Sequence, residues 1–228
     1  RLVYEATHRD AIDAANQAGV EIDETLASLP PPTSGERRNI HTVDAFGTDF
    51  FHVNCRSLLA NGERNPFADP RVRRAIALTI DKKALVERVT RLNERTSGSF
   101  VPDGSIPGYE PPTGLPFDPE RGRAELDAAG WKLGDDGIRR NADGDPFPTL
   151  EILFSTGSPR YKDLSLALRD MWRRELRIPC EIGGRPGNEY RAQLENGNFM
   201  VARGGWYGDY GDPTTVLALN RTDGGHNQ

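Results

Sequence analysis

Within ten positions of the chain, Arg203, Trp206, Tyr207, Asp209, Tyr210 and Asp212 gather one cation, two carboxylates and three amphipathic aromatics. The run is RGGWYGDYGDPTTVL, and its glycines and Pro213 keep it from continuing as a plain helix. Two neighbouring carboxylates are the minimum for acid and base work on a glycosidic bond, so Asp209 and Asp212, or either with Glu189, could serve a hydrolase. The plainer alternative gives each residue a structural job. Trp206 and Tyr210 would fill core, Asp212 and Pro213 would start a helix, and Arg203 would close an internal salt bridge on Asp209.

Other familiar chemistries lack their residues. There is no GxxxxGK[ST] phosphate loop, no GxGxxG dinucleotide turn and no GxSxG elbow. His8, His41, His52 and His226 stand far apart with no HExxH pair, so no metal and no cofactor is expected. DDGIRRNADGDP alternates acids as a calcium loop does but lacks the closing glutamate in register, which leaves a β-hairpin turn as the better reading. Cys55 and Cys180 are expected as small buried apolar residues rather than as a disulfide. Asn220-Arg221-Thr222 fits a glycosylation sequon, a pattern short enough to arise by chance.

With 228 residues the chain can bury a sizeable core, and 24 Gly and 17 Pro imply many connections between elements. A net charge of -5 gives no electrostatic footprint for nucleic acid. No apolar run approaches the ~20 residues that cross a bilayer. The opening RLVYEATHRD is charged, is not a signal peptide and has no initiator Met, so the chain is expected to be a piece of a longer protein.

The elements that must position the 203–217 run are legible in outline. THRDAIDAANQAGVEIDETL reads as a helix, and SLPPPTSGERRN, residues 28–39, as a Pro-rich boundary. AFGTDFFHVNC suits a strand. Asp69-Pro70 and Asp118-Pro119 are helix starts, each an N-cap followed by proline at the first helical position. After the first, Val72, Ala75, Ile76 and Thr79 share a face, leaving Arg71, Arg73 and Arg74 as a solvated one. Asp81 caps a second helix carrying Leu85, Val86 and Val89. Residues 96–119 form a long irregular loop, of the kind that is often functional. TLEILFS alternates as a strand with Leu150, Ile152 and Phe154 on one face. PRYKDLSLALRDMWRRELRI is amphipathic, with Tyr161, Leu164, Leu168, Met171 and Trp172 inward. IPCEIGG, NEYRAQLENG and FMVARGGW follow as strand, helix and strand. That alternation predicts an α/β fold with a mixed, mostly parallel sheet and flanking helices, and puts Arg203 near the carboxyl end of a strand, the edge where such sheets bind ligands.

Several stretches in order resemble one family, the extracellular solute-binding proteins of ABC transporters, family 5, of the oligopeptide/dipeptide type. They are FHVNCRS with NPFADPRVRRAIALTIDKKAL, then DPERGRAELDAAGW, DDGIRRNADGDPFPTLEILFS and ARGGWYGDYGDPTTVL. The likeness runs from about residue 46 to 220. It implies one lobe of a periplasmic-binding-protein type II fold, with residues 1–44 ending the first lobe and its linker and 45–228 forming most of the second lobe. The rest of the first lobe is then missing from this chain.

The same resemblance implies a binding module rather than an enzyme. Its expected partners are a peptide or another small solute and a membrane ABC permease, at the periplasmic or extracellular surface. Nickel, haem or an oligosaccharide is the alternative cargo. Asp209 is implied as the partner of a peptide's α-ammonium, and Arg203 of its carboxylate, since a planar guanidinium can grip a carboxylate with two bonds. Trp206 and Tyr210 would be rigid walls with polar tips.

Overall fold

The computed structural model describes residues 45–91 and 94–221. The chain divides into two units between Ala45 and Phe46, and the second is described here. The expected N-terminal helix, the Pro-rich boundary at 28–39 and Thr222 of the sequon lie outside the described residues.

A four-stranded sheet carries the fold. Its strands are β1 (Gly47–Val53), β4 (Leu150–Ser155), β5 (Cys180–Arg185) and β6 (Val201–Tyr207), in the order β1-β6-β4-β5. β4 runs parallel to both β5 and β6, while β1 is antiparallel to β6. The sheet is thus mixed and mostly parallel, as expected. A separate hairpin, β2 (Lys132–Leu133) with β3 (Arg139–Arg140), is the turn read from DDGIRRNADGDP.

The helices start where their caps predict. α1 (Pro70–Leu78) is capped by Asp69, whose carboxylate accepts from Arg71 N at 2.8 Å. α2 (Lys82–Ala84) is capped by Asp81 and widens into a π-helical stretch, Leu85–Thr90. α3 (Pro119–Ala128) is capped by Asp118. α4 (Pro159–Leu176), α5 (Gly187–Asn196) and the short α6 (Thr214–Leu217) complete the set. Residues 96–117 carry only turns and bends.

The larger core joins Leu150, Ile152 and Val201 of the sheet to Leu168, Trp172 and Leu176 of α4 and to Val72, Ala75 and Ile76 of α1. Trp172 also donates its indole N–H to Ile76 O at 3.0 Å, so its polar edge is satisfied inside the core. A second cluster, on the other side of the sheet, packs Leu194 of α5 on Leu153 and Ala202, with Phe199. That cover corrects the expectation of a one-faced β4: Leu153 is buried along with Leu150, Ile152 and Phe154, because helices close both faces.

The arginines of α1 lie off its buried face, as expected, with the side chains of Arg71 and Arg74 reaching solvent, and each of the three also holds partners there. Arg71 holds Asp69 and Ala128 O, Arg73 donates to Phe67 O and Ala68 O, and Arg74 grips Glu125 of α3 with bonds of 2.9 and 3.1 Å. A further correction falls on Cys55, which is exposed, while Cys180 is buried, which pushes its thiol up to about 12.

The least expected core residue is Arg139, whose side chain is 1% exposed. Its Nε donates to Leu176 O, and its Nη1 donates to Trp131 O and Asp127 Oδ1, each at 2.6 Å. It therefore ties the carboxyl ends of α3 and α4 to the hairpin. Arg139→Met keeps the bulk but strands those acceptors, so a loss of about 2–4 kcal/mol in urea unfolding is expected. The Arg71 bond holds the Asp69 carboxyl below its ordinary value, and the Arg74 bond does the same to Glu125. A carboxyl depressed on folding binds its proton later than in the unfolded chain. Its contribution is complete above the ordinary carboxyl pKa and is lost as pH falls through the lower folded value. Between about pH 5 and pH 3, Glu125→Gln should therefore shift its urea midpoint less than the wild-type protein does.

Candidate ligand-binding site

The strands β4, β5 and β6 all end at one edge of the sheet, and the antiparallel β1 begins there. Pairing sets Gly47 against Tyr207, Thr48 against Trp206, Asp49 against Gly205, Phe50 against Gly204 and Phe51 against Arg203. Residues opposite one another in an antiparallel pair share a face. Asp49, Phe51 and Arg203 therefore point to the α4 side, and Thr48, Phe50, His52 and Trp206 to the α5 side.

On the α4 side lies a chain of alternating charge. Arg203 donates from Nη2 to Asp49 Oδ1, and its guanidinium lies 3.8 Å from the centre of the Tyr161 ring. Gly205 leaves the gap through which the pair meets, since a Cβ there would stand 2.9 Å from Arg203 Nη2 and 3.0 Å from Asp49 Oδ1. The other Asp49 oxygen accepts from Arg160 Nη2 at 2.7 Å. Arg160 Nη1 reaches Glu94 Oε1 at 2.6 Å, and Glu94 Oε2 accepts from Thr90 Oγ1. Beside them is a cavity of about 170 Å³ lined by Val89, Thr90, Arg160 and Asp163. Burial lowers the Arg203 pKa to about 10, which still leaves it charged at neutral pH. Tyr190 of α5 donates its hydroxyl to Arg203 O, and burial pushes that phenol up.

The α5 side is aromatic. Phe50 meets His52 and Phe100 edge-on, both at 4.9 Å between ring centres. Burial lowers the His52 pKa, so this ring is neutral at physiological pH. Thr48 Oγ1 donates to Phe100 O at 2.8 Å and pins the irregular loop to the edge strand. The two ends of that loop cross backbone to backbone at Gly98 and Gly114, where a Cβ on Gly114 would lie 2.7 Å from the Gly98 Cα.

Past β6 the chain turns. Asp209 is exposed, and its backbone N–H donates to Thr215 Oγ1 at 3.0 Å. Asp212 Oδ1 accepts from Thr214 N at 2.8 Å and Thr214 Oγ1 at 2.6 Å, the helix-starting role set out above as its plainer reading. Tyr207 and Tyr210 are largely exposed, and Trp206 is half-buried. Of the four residues singled out, Arg203 and Trp206 thus lie within the last strand and on opposite faces, while Asp209 and Tyr210 lie on the turn after it. One alternative needs correction: the salt bridge of Arg203 is made with Asp49, not Asp209. Nothing in the sequence marks Glu94, Arg160 or Tyr190 for this role, and the helical pattern places Tyr161 only as core. A signal existed for Asp49, an acid on the strand face that otherwise carries Phe51 and Val53.

The model of the bacterial extracellular solute-binding proteins, family 5 (middle), matches residues 1–228. The chain belongs to that family. Among its relatives, the periplasmic murein peptide-binding protein MppA of Escherichia coli is 29% identical over 79% of this chain and 31% of its own length. The periplasmic oligopeptide-binding protein OppA of Salmonella typhimurium is 26% identical, over 100% of this chain and 40% of its own. The solved structure of a periplasmic oligopeptide-binding protein from Borrelia burgdorferi superposes with a TM-score of 0.65 at 26% identity, covering 80% of this chain and 32% of that one. The chain spans about a third of the length of these relatives. Within this solute-binding family the fold is that of a periplasmic-binding-protein type II lobe.

Gly204 sets how closely β1 and β6 sheathe the aromatic side. A Cβ there would collide with the Phe50 ring and come within 2.9 Å of His52 Nε2, with Phe100 blocking the retreat of Phe50. Gly204→Ala is expected to cost about 1–3 kcal/mol, read as a lowered Tm, while Gly211→Ala, which meets nothing within 4 Å, leaves it unchanged.

Proposed function

We propose that this chain is one lobe of a solute receptor that delivers peptides to an ABC permease, working outside the cytoplasmic membrane in the periplasm or at the cell surface. Residues 1–44 then close the first-lobe segment and its linker, and 45–228 supply most of the second lobe. The observation that carries this reading is the Trp206-to-Tyr210 run at the carboxyl edge of β6. There the parallel strands of the described sheet end and the antiparallel β1 begins. The names of MppA and of the oligopeptide-binding relatives point to peptides as the cargo.

In the proposed complex the exposed Asp209 pairs with the α-ammonium of a peptide through a charge-assisted hydrogen bond. Trp206 and Tyr210 flank its first residues, and the glycine-rich strand edge offers main-chain bonds that tolerate varied side chains. Arg203 lies on the opposite face of the same strand, toward α4. No bond is made or broken. Transport selectivity comes from closure of two lobes, which excludes the water that otherwise competes for those bonds.

The test is calorimetric titration of the two-lobed receptor, at the length of its relatives, with di- to pentapeptides. Binding is expected, and Asp209→Ala should weaken it by about tenfold or more, as loss of a charge-assisted bond does. N-acetylated peptides should lose affinity for the wild-type receptor to a similar degree. Binding that ignores both changes would remove Asp209 from the site, and no peptide binding at all would turn the proposal toward another solute.

A further inference from the structure

Asp49 occupies an unusual position for a single carboxylate. Each of its two oxygens serves a different guanidinium, Oδ1 that of Arg203 and Oδ2 that of Arg160. The second arginine is balanced in turn by Glu94. Two cations and two anions therefore close on one another at the ligand edge. This is the geometry a bound carboxylate would itself adopt, a planar anion bridging two planar forks.

A ligand carboxylate arriving here meets three obstacles. The face of the Arg203 guanidinium is covered by Tyr161, and the side chain is only 15% exposed. Its Nη2 is already used by Asp49, and Arg203 Nε is buried with no hydrogen-bond partner among the described residues. The Asp49 side chain is itself 35% exposed, so the approaching anion meets a like charge first. Asp49 also holds the advantage of attachment, because a short side chain fixed on a paired strand competes at a high effective concentration.

We propose that Asp49 is a resident substitute for a ligand carboxylate, and that it makes this wall indifferent to the charge at the carboxyl end of the cargo. The inference rests on the peptide reading above. The receptor then recognises a peptide by its ammonium end and main chain, and accepts chains whose carboxyl end is blocked or continues beyond the wall. Asp49 is thus a specificity-determining residue that acts by occupying Arg203.

The experiment uses one peptide sequence as the free acid and as the C-terminal amide, titrated into the two-lobed receptor and its Asp49→Asn variant. Asparagine keeps the shape and removes the charge. The ratio of acid to amide affinity should rise about tenfold from wild type to Asp49→Asn. A change of less than about threefold would overturn the proposal. Arg203→Gln in the otherwise unchanged receptor gives an independent reading that does not need the first variant to fold. It should alter acid and amide affinities alike, whereas selective loss of the acid would show that Arg203 already holds the ligand and would sink the idea. Failure of both peptides to bind either protein would overturn the peptide reading and this inference together. Binding of both with an unmoved ratio overturns this inference alone.

Discussion

The antiparallel seam between β1 and β6 is the constraint on which the rest of the described structure depends. It joins residues some 150 positions apart, such as Asp49 and Arg203, whose separation along the chain is 154. Side chains in a strand alternate between faces, so one register decides every facing at once. A slip by one residue would move Asp49 away from Arg203 and drive Phe50 toward the helix that packs the main core. The glycines at 204 and 205 permit the seam to be tight where side chains from β1 must lie across it.

The two faces of this seam are built from different physics. Toward α4, charge is handled by local neutralisation: Arg203, Asp49, Arg160 and Glu94 alternate in sign, and the Tyr161 ring takes the exposed guanidinium face. Such a chain desolvates its members without leaving a naked charge, which is the condition under which a half-buried arginine is tolerated. Toward α5 the same strands present interlocking rings, Phe50 with His52 and Phe100, whose edge-to-face contacts are directional but uncharged. A single two-stranded seam thus offers a polar wall and an apolar one.

Local features were legible in the residues and distant ones were not. Asp69-Pro70 and Asp118-Pro119 announce their helices because a cap is made within four residues of itself. The hairpin from 132 to 140 and the parallel strands at 150 and 180 follow from turn chemistry and alternation in the same way. The π-helical stretch at Leu85–Thr90 leaves no comparable signal, since its sequence is that of an ordinary amphipathic helix. Within the site, Arg203 and Asp209 stand out by type and spacing, and their near neighbourhood in sequence suggested a pair. The true partner, Asp49, comes from a strand whose place in the sheet is settled by tertiary pairing alone. Arg160 and Tyr161 are read as the first turn of an amphipathic helix, and nothing in that pattern says which strand edge the turn will face.

The crossing of Gly98 over Gly114 closes the intervening segment into a loop, and Phe100, just inside it, ties its first residues to the edge strand. Past Phe100 and the buried Val101, the loop's contour length is free to vary without moving strand or helix, because it enters and leaves at one point. Added residues cost only the slowly growing entropy of a longer closed loop, about 0.6 kcal/mol for each doubling. The segment from 102 to 113 is therefore a place where the reach of the loop can be retuned by insertion or deletion, while the seam beneath keeps its register.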